Sequence, residues 1–248
     1  MMIHDFFRDK HLVALAFSGG TDSAYLFYVA KESGCDIRPY YVNTPFQPQF
    51  ELEDAQKLAD AMQVSLTVLE YDILRLPAIV RNESDRCYYC KQAIFRLIQQ
   101  AAHADGCELI VDGTNASDDY DSRPGMKALS ELGVRSPLRE CGLTKPQIRE
   151  LSRQAGLFTW DKPAYACLAT RIPTGTLIDA DTLNRVEQAE NYLASLGFSD
   201  FRVRVFHDAA KIQISKSQLN QACAMRLEVL AGLSQYFDEV LLDLKCRE

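Results

Sequence analysis

The stretch LVALAFSGGTDS, residues 12–23, joins a short apolar run to a polar loop that contains two glycines. The apolar part, residues 12–17, is typical of a strand buried on both faces of a parallel sheet. The loop follows it directly, and residues 24–31 predict a helix. A strand, a glycine-containing loop and a helix in this order form the context that a phosphate-binding loop requires.

Each residue type in the loop has a physical reason to bind pyrophosphate. Gly19 and Gly20 let the backbone approach the phosphates with its amides pointing inward, and the helix N-terminus adds free N–H groups and partial positive charge. Ser18 and Ser23 can each donate a hydroxyl hydrogen bond. Asp22 repels phosphate by itself, so we expect a Mg²⁺ ion between its carboxylate and the pyrophosphate.

The loop differs from two common nucleotide-binding motifs. It lacks the Gly-Lys-Ser/Thr ending of a Walker A motif and the GxGxxG spacing of a dinucleotide site. Transfer of the γ-phosphate is therefore disfavoured. The structural alternative is a plain Gly-Gly turn with a Ser/Asp cap, and the apolar strand before the loop argues against it.

Composition sets the broad class of protein. The chain has 248 residues, 47% of them apolar and 25% charged, and a net charge of −7. This length fits one large or two modest domains, and the negative charge makes a nucleic acid partner unexpected. No apolar run reaches the roughly 18 residues of a membrane span, and the N-terminus lacks a signal-peptide pattern. We therefore expect a cytoplasmic protein with reduced thiols and no membrane partner.

Strand and helix patterns alternate up to residue 112. After the first strand, strands are predicted over 36–42, 65–71 and 108–112, and helices over 24–31, 51–62 and 86–104. This order predicts an α/β fold, a parallel twisted sheet with helices on both faces. Another helix is expected over 145–154, with Thr144 as its N-cap.

The pattern changes after residue 160. Residues 161–178 contain prolines and little periodicity, and we interpret them as a linker and active-site loop. The remainder predicts a helix over 179–196, a hairpin over 201–206 and 211–215, a helix over 217–233 and a strand over 239–244. The predicted division is an ATP-binding domain over 1–160, the linker over 161–178, and a smaller α+β domain with an antiparallel sheet over 179–248.

Three of the eight cysteines stand in unusual contexts. Cys87 and Cys90 form a CxxC, and Cys167 lies in the linker loop; the other five are scattered and are expected to be buried or inert thiols. Two thiolates at this spacing can face one metal centre. A zinc site usually needs a fourth ligand, and no histidine lies near these loops in sequence. A redox pair and plain structural thiols are the other interpretations.

Several blocks together resemble the LarE family of ATP-dependent sulfur transferases, within the PP-loop ATP pyrophosphatase superfamily. They are ALAFSGGTDS (14–23), RCYYCK (86–91), DGTN (112–115), DSRPG (121–125), RSPL (135–138), ACLATRIP (166–173) and FRVR (201–204). The resemblance extends from about residue 8 to residue 244. Each block alone is weak, and their combination is specific.

The resemblance implies a reaction. Enzymes of the superfamily cleave ATP between its α- and β-phosphates and adenylate an acyl or amide oxygen. The substrate would resemble pyridinium-3,5-biscarboxylic acid mononucleotide, one carboxylate of which is adenylated with release of pyrophosphate. Sulfur then replaces AMP, and the thiocarboxylate formed belongs to the biosynthesis of a nickel-pincer nucleotide cofactor. The resemblance also implies a homo-oligomer that accepts sulfide or another sulfur donor.

Family members obtain the sulfur in two ways. Some sacrifice an active-site cysteine, which becomes dehydroalanine, whereas others hold a [4Fe-4S] cluster on three cysteines and leave one iron open for sulfide. Here Ala166 stands where the sacrificial cysteine is found. The resemblance therefore favours a cluster on Cys87, Cys90 and Cys167, with a sacrificial or persulfide-forming Cys167 as the alternative.

Further candidates lie where the predicted strands end. Asn43 and Thr44 end the second strand, where adenine and ribose contacts are common in the superfamily. Gly113 and Arg123 lie in the loop after the fourth strand, at the edge where open α/β sheets bind ligands. Arg123, which follows Asp121, can offset phosphate charge or hold a carboxylate in bidentate fashion.

The substrate-binding candidates lie in the second half of the chain. Thr170 and Arg171 follow Cys167, and a cation there would favour an anionic substrate. Arg202 and Arg204 alternate on one predicted strand and face the same side, which suits the phosphate of a nucleotide. Glu190, on the preceding helix, is a candidate contact to substrate or metal, with an ordinary solvated glutamate as the alternative.

The phosphate loop is also compatible with other adenylating functions. Superfamily members that thiolate tRNA usually carry an added RNA-binding or zinc-binding domain, and this sequence predicts neither. An amide-forming ligase such as NAD synthetase would leave the three cysteines without a purpose. A nucleotide-binding or iron–sulfur-sensing protein without catalysis is the alternative from another class.

Overall fold

The structure is a computed structural model that describes residues 2–119 and 124–247. The chain divides into two compact units. The N-terminal unit consists of Met1–Ile73 and Asp85–Lys162, and the C-terminal unit of Leu74–Ser84 and Pro163–Glu248. The chain therefore crosses between the units three times. The functional division at residues 160 and 178 stays a prediction, and it did not anticipate that Leu74–Ser84 belongs with the C-terminal unit.

The elements alternate as the sequence predicts through the first part of the chain. The helices are α1 (Ile3–Phe7), α2 (Thr21–Glu32), α3 (Gln49–Ala61), α4 (Pro77–Val80), α5 (Arg86–Ala104), α6 (Pro124–Glu131), α7 (Pro137–Glu140), α8 (Lys145–Gln154), α9 (Ala180–Ser195), α10 (Leu219–Ala224) and α11 (Arg226–Leu233). The strands are β1 (Leu12–Ala16), β2 (Asp36–Asn43), β3 (Thr67–Glu70), β4 (Ile110–Val111), β5 (Arg202–Phe206), β6 (Ala209–Gln213) and β7 (Glu239–Leu242).

The N-terminal unit is built on a four-stranded sheet in the order β3-β2-β1-β4, with every pair parallel. Neighbouring residues of β1 pack into different cores: Val13 and Leu15 belong to one apolar cluster, and Ala14 to another. Alternate residues of a strand point to opposite faces, so helices cover both faces. The predicted α/β fold with a parallel sheet is confirmed.

The strand order reverses at β1. The chain runs from β1 to β2 to β3 in one direction across the sheet and then places β4 on the other side of β1. In open α/β sheets, ligands bind in the crevice outside the carboxyl ends of the strands at such a point. The loops that follow β1 and β4 are the two that border this crevice.

The C-terminal unit contains a three-stranded sheet in the order β5-β6-β7. β5 and β6 form the predicted antiparallel hairpin, with Arg202 opposite Gln213. The prediction of an all-antiparallel sheet is wrong, because β7 runs parallel to β6. The helical region between them supplies the long crossover that a parallel pair needs, and it is two helices that break at Met225 (φ −94°, ψ 20°) rather than one.

Asn82 attaches the segment Leu74–Ser84 to the rest of the C-terminal unit. Its buried side chain donates a hydrogen bond to the Pro173 carbonyl at 2.9 Å, and its own carbonyl accepts one from the N–H of Gly175 at 2.9 Å. The N–H of Ile178 also donates to the carbonyl of Val80 at 2.9 Å. Asn82 adopts a positive φ of 54°, a conformation that asparagine tolerates better than most residues.

Candidate active site

The loop after β1 has the backbone geometry of an anion cradle. Gly19 has a φ of +68°, and a Cβ atom there would lie 3.0 Å from the carbonyl oxygen of Glu51, so only glycine fits without strain. Gly20 is the N-cap of α2 and carries no side chain. The first N–H groups of a helix have no intrahelical partner, and here they border the loop and can donate to an anion.

The two serines of the loop lie on the same side of it. Ser18 Oγ and Ser23 Oγ are 3.1 Å apart, and Ser23 Oγ also donates to the Gly20 carbonyl at 3.2 Å. Thr21 turns the other way, and its hydroxyl donates to the Thr159 carbonyl at 2.8 Å. The structure thus brings together the serines and glycines that the sequence assigned to pyrophosphate.

The loop after β4 packs directly against the first turn of α2. A Cβ atom on Gly113 would lie 2.8 Å from the backbone nitrogen of Ser23, which is closer than real contacts allow. The buried Asp112 fixes this loop, since its carboxylate accepts hydrogen bonds from Ser136 Oγ at 2.7 Å and Thr114 Oγ1 at 2.5 Å. The crevice at the strand-order reversal is therefore bordered by two loops in van der Waals contact.

Asp22 is held in this crevice through one of its two carboxylate oxygens. Its Oδ2 accepts hydrogen bonds from Lys145 Nζ at 2.8 Å and from Asn115 Nδ2 at 3.3 Å. Its Oδ1 is buried and has no hydrogen-bond partner within residues 2–119 and 124–247. Buried polar atoms in proteins are nearly always paired, so this carboxylate oxygen is available to a ligand.

A Mg²⁺ ion fits that oxygen chemically. Mg²⁺ prefers hard oxygen ligands, usually one or two carboxylates together with phosphate oxygens and waters. The Lys145 ammonium neutralises the carboxylate from the Oδ2 side, which lowers the repulsion between Asp22 and a polyphosphate. The structure thus adds a second reason, besides the metal, why an aspartate can stand in a phosphate loop.

Sequence reasoning missed the roles of Lys145 and Asn115. Lys145 is the first residue of α8, whose predicted N-cap Thr144 is confirmed by a capping box with Gln147. Its separation from Asp22 is 123 residues, and no local pattern links them. The available signals were that Lys145 begins a predicted helix and that Asn115 follows a predicted strand.

The remaining candidates for ATP binding have their observed contacts outside the phosphate loop. Asn43 ends β2, and its amide donates hydrogen bonds to the Glu70 carboxylate at 3.0 and 3.1 Å, at the carboxyl edge of the same sheet. Thr44 is buried and donates to Gln47 Oε1 at 2.5 Å. Arg123 and Asp121 lie outside the described residues.

In the C-terminal unit, Arg171 and Glu190 form a buried ion pair. Arg171 Nε lies 2.7 Å from Glu190 Oε1, and the two side chains are 0% and 6% exposed. Burial acts to lower the pKa of Arg171, and the hydrogen bond and charge of Glu190 outweigh it and raise that pKa above its usual value. Glu190 also accepts hydrogen bonds from Tyr165 Oη at 2.6 Å and the Val203 N–H at 2.9 Å.

These bonds give the Arg171–Glu190 pair a structural task, besides the substrate contact that the sequence predicts. The remaining Nη1 group of Arg171 donates to the Ala166 carbonyl and to Thr170 Oγ1, both at 2.9 Å. Thr170 Oγ1 in turn donates to the Cys167 carbonyl at 2.8 Å. Direct contact of Arg171 or Glu190 with substrate stays a prediction, and the observed bonds hold the loop that carries Cys167.

Arg202 and Arg204 lie on β5, two residues apart and both half-buried, whereas Val203 between them is buried. Arg204 donates to Gln213 Oε1 at 2.6 Å and to the Thr170 carbonyl at 3.2 Å, so its partners are neutral. The Arg202 side chain has no hydrogen bond or ion pair in the part of the chain that the structure describes. The strand therefore presents cationic groups without full compensation.

The cysteine candidates occur in both units. Cys87 and Cys90 occupy the first turn of α5, three residues apart and so on one helix face, with Cys87 exposed and Cys90 half-buried. Arg86 donates a hydrogen bond to Cys87 Sγ at 3.7 Å. Cys167 is half-buried in the C-terminal unit, just before a turn of 3₁₀ helix at Leu168–Arg171. Among the described residues, no group of three or more Cys, His, Asp or Glu side chains is arranged to hold a metal.

Comparison with known proteins decides the family. The chain is 32% identical over 240 residues to the pyridinium-3,5-bisthiocarboxylic acid mononucleotide synthase of Lactiplantibacillus plantarum, covering 96% of this chain and 87% of that protein. The chain belongs to the LarE family. An uncharacterised protein of Synechocystis, slr1717, is 36% identical over 88% of this chain and 82% of its own length.

A shorter similarity relates the LarE-like chain to an ATP-using superfamily. The argininosuccinate synthase of Haloarcula marismortui is 30% identical over 156 residues, which are 58% of this chain and 37% of that protein. The chain is therefore an enzyme of the PP-loop superfamily, and the resemblance stated from its motifs is confirmed. No family model matches the chain.

None of the helices within the described residues is both long and apolar enough to cross a membrane.

Proposed function

We propose that this enzyme adenylates a carboxylate of pyridinium-3,5-biscarboxylic acid mononucleotide and replaces the AMP by sulfur. The similarity to a synthase of the bisthiocarboxylic acid mononucleotide over 96% of the chain carries the proposal. The loop geometry supports it, because a glycine cradle at a helix N-terminus binds the pyrophosphate part of ATP. ATP is cleaved between its α- and β-phosphates, and pyrophosphate leaves.

Residues of the N-terminal unit bind ATP and Mg²⁺ in this proposal. Ser18, Ser23 and the open N–H groups of α2 hold the β- and γ-phosphates, which become the leaving pyrophosphate. Asp22 Oδ1, the buried oxygen without a partner among the described residues, would hold Mg²⁺, and the ion would neutralise charge on the phosphates. Lys145 compensates the Asp22 carboxylate from its other oxygen.

The residues of the C-terminal unit bind the mononucleotide. A nucleotide phosphate carries nearly two negative charges, and the half-buried guanidiniums of Arg202 and Arg204 suit it because their observed partners do not neutralise them. Arg171 and Glu190 act as positioning residues, since their mutual bonds fix Thr170 and the backbone at Ala166. In the proposed reaction, one carboxylate of the bound mononucleotide attacks the α-phosphorus of ATP.

We propose further that the sulfur is delivered through a [4Fe-4S] cluster on Cys87, Cys90 and Cys167. Cys87 is exposed, Cys90 is half-buried, and the two share one helix face, so both thiolates would serve as ligands of the cluster. The third ligand, Cys167, lies in a loop fixed by Thr170 and Arg171. A bound cluster would supply an iron site at which sulfide can be held. Ala166 stands at the sacrificial position, which favours this route over loss of sulfur from the protein.

The reaction can be tested directly with ATP, Mg²⁺, sulfide and the biscarboxylic acid mononucleotide. AMP and pyrophosphate should form only when the mononucleotide is present, and mass spectrometry should show oxygen replaced by sulfur in the product. Asp22→Asn should abolish both signals. Formation of AMP at the same rate without any carboxylate nucleotide would contradict the proposal.

The cluster is tested by anaerobic reconstitution with iron and sulfide. About four irons per chain and a broad visible absorption band are expected in the wild type, and Cys87→Ala, Cys90→Ala and Cys167→Ala should each lose them. Cys223→Ala, which removes an exposed cysteine elsewhere in the chain, is the matched control and should keep them. A colourless wild type would redirect attention to Cys167 itself, examined by mass spectrometry after turnover for lost or added sulfur.

A further inference from the structure

The phosphate loop contacts two parts of the N-terminal unit that are distant from each other in sequence. One is α3, since a Cβ atom on Gly19 would lie 3.0 Å from the carbonyl oxygen of Glu51. The other is the segment 157–162, in which the Thr159 carbonyl accepts a hydrogen bond from the Thr21 hydroxyl at 2.8 Å. Two residues of the loop are thus held by different neighbours.

An ion pair joins those two neighbours to each other. Lys162 Nζ, at the end of the segment, lies 2.6 Å from Asp54 Oδ2 on α3. Asp54 comes three residues after Glu51, so it lies on the side of the helix that contacts the loop. The contacts therefore form a closed ring, which runs from the phosphate loop to α3, through the ion pair to Lys162, and back to the loop through Thr159.

The Lys162–Asp54 pair is shielded from water. The side chains of Lys162 and Asp54 are 17% and 30% exposed, and the ammonium nitrogen itself is buried. The ammonium also lies over the Phe50 ring, 5.2 Å from its centroid. Within the described residues it makes no aligned hydrogen bond, so Asp54 is its partner through charge. Salt screens a partly buried pair much less than an exposed one, which sets this contact apart from an ordinary surface salt bridge.

The segment that carries Lys162 is itself attached to α8. Arg149, on that helix, donates hydrogen bonds to the Trp160 carbonyl at 2.8 Å and to the Lys162 carbonyl at 2.6 Å. The same helix begins with Lys145, which contacts Asp22 of the phosphate loop. The ion pair therefore ties α3 to a segment whose backbone is already fixed beside the loop.

We propose that the Asp54–Lys162 ion pair keeps the phosphate loop in shape for a triphosphate, so that both are positioning residues for ATP. A loop that is held in its binding conformation loses less freedom when the ligand binds. Without the pair, α3 is free to move away from Gly19, and the loop loses one of its two supports. This inference rests on the proposed function, in which the loop binds the β- and γ-phosphates of ATP.

The test compares α,β-methylene-ATP, which cannot be cleaved between its α- and β-phosphates, with AMP, which lacks the β- and γ-phosphates. Isothermal titration calorimetry uses the full chain with Mg²⁺ and without the mononucleotide. Asp54→Asn and Lys162→Met should each weaken binding of the ATP analogue roughly 10- to 100-fold, the usual cost of misplaced contacts, and leave AMP binding unchanged. Asp54→Glu keeps the charge and should retain most of the affinity.

The matched control is Glu150→Gln, which breaks the exposed ion pair with Arg153 at 2.7 Å in the same unit and should change neither affinity. The double variant Asp54→Asn/Lys162→Met should lose no more affinity for the ATP analogue than either single variant, because both changes break one contact. The double variant leaves no charge without its partner. It therefore decides the matter if a single variant does not fold.

The outcomes separate this inference from the proposed function. If Lys162→Met weakens binding of the ATP analogue and Asp54→Asn does not, Lys162 acts on the phosphates itself and the positioning role is overturned. Additive losses in the double variant, unchanged affinity in it, or equal losses for AMP overturn that role too. In each of these cases the wild-type protein still prefers the analogue to AMP. If it does not, the assignment of the loop to the β- and γ-phosphates fails, and the proposed function with it.

Discussion

Lys145 Nζ lies 2.8 Å from Asp22 Oδ2, a contact that joins the first residue of α8 to the phosphate loop across 123 residues of sequence. The bond leaves the other carboxylate oxygen buried and without a partner among the described residues. Lys145 therefore orients Asp22 so that a single oxygen faces the ligand. Residues that hold a metal-binding carboxylate in this way affect activity without touching the metal.

Replacement of Lys145 by methionine should reduce kcat/KM for ATP by roughly 10- to 100-fold, the usual effect of losing a partner of a metal ligand. The reason is that Asp22 keeps its full charge and loses its orientation. Initial rates of pyrophosphate release measured across a Mg²⁺ titration should show a higher Mg²⁺ requirement. Lys145→Arg keeps the charge and should be milder, and a methionine variant with unchanged Mg²⁺ dependence would contradict the role.

Gly113→Ala should disrupt the phosphate loop. The new methyl would meet the Ser23 nitrogen at 2.8 Å. The backbone at residue 113 and the backbone at Ser23 would have to separate, which moves the phosphate loop. Overpacking of this kind costs about 1–3 kcal/mol. The KM for ATP should rise, and the midpoint of thermal unfolding should fall. Gly156→Ala is the matched control, because it meets open space and only its φ of +70° opposes the substitution. The control should lower the midpoint alone; a normal KM for ATP in Gly113→Ala would refute the prediction.

Glu190→Gln should destabilise the protein strongly. It leaves the buried Arg171 guanidinium without its counter-charge, which typically costs about 3–5 kcal/mol. Tyr165→Phe removes a single hydrogen bond to the same carboxylate and should cost about 1 kcal/mol. Urea unfolding measures both. An inactive Glu190→Gln enzyme with wild-type stability would instead indicate that Glu190 contacts the substrate, as the sequence suggested.

Stability should fall at alkaline pH because of a buried thiol. Burial, the Asp36 charge and Cys107 raise the pKa of Cys35 to about 11. A group that binds its proton more tightly in the folded state loses its contribution as pH rises, so the free energy of unfolding should decrease from the ordinary thiol range up to about pH 11. Unfolding of Cys35→Ala, measured in parallel, should show a shallower decrease, and identical slopes would rule the thiol out.

Thiol accessibility provides a separate check on the same residues. Iodoacetamide near neutral pH should modify the exposed Cys87 and Cys223 first and the buried Cys35 and Cys107 last, since alkylation requires an accessible thiolate. Peptide mass spectrometry at successive times gives the order directly. Rapid labelling of Cys35 in folded protein would contradict its burial.

The parts of the fold that the sequence predicted are those with a local cause. The apolar run of β1 and the periodic face of α5 each fix an element within one stretch of chain, and both were placed almost to the residue. The direction of β7 was missed, because strand patterns look the same in parallel and antiparallel pairs. The helix break at Met225 was missed because no glycine or proline stands next to it in the sequence.

The site shows the same division. Ser18, Gly19 and Gly20 could be assigned because the loop's own sequence dictates its shape. Lys145 could not be assigned, because it meets Asp22 only in the folded protein, across 123 residues of sequence. Arg171 was assigned from its charge near Cys167, and the structure shows that charge already matched by Glu190, a pairing that no spacing in the sequence reveals.

The excursion of Leu74–Ser84 into the C-terminal unit has a consequence for how such a chain can be inherited. Residues 163–248 alone would lack the helix α4 and the Asn82 contacts to Pro173 and Gly175. Residues 1–162 alone would leave buried Ile79 without its surroundings. A single recombination event in the gene therefore cannot exchange one unit intact. We expect the two units to have been inherited together rather than exchanged as separate domains.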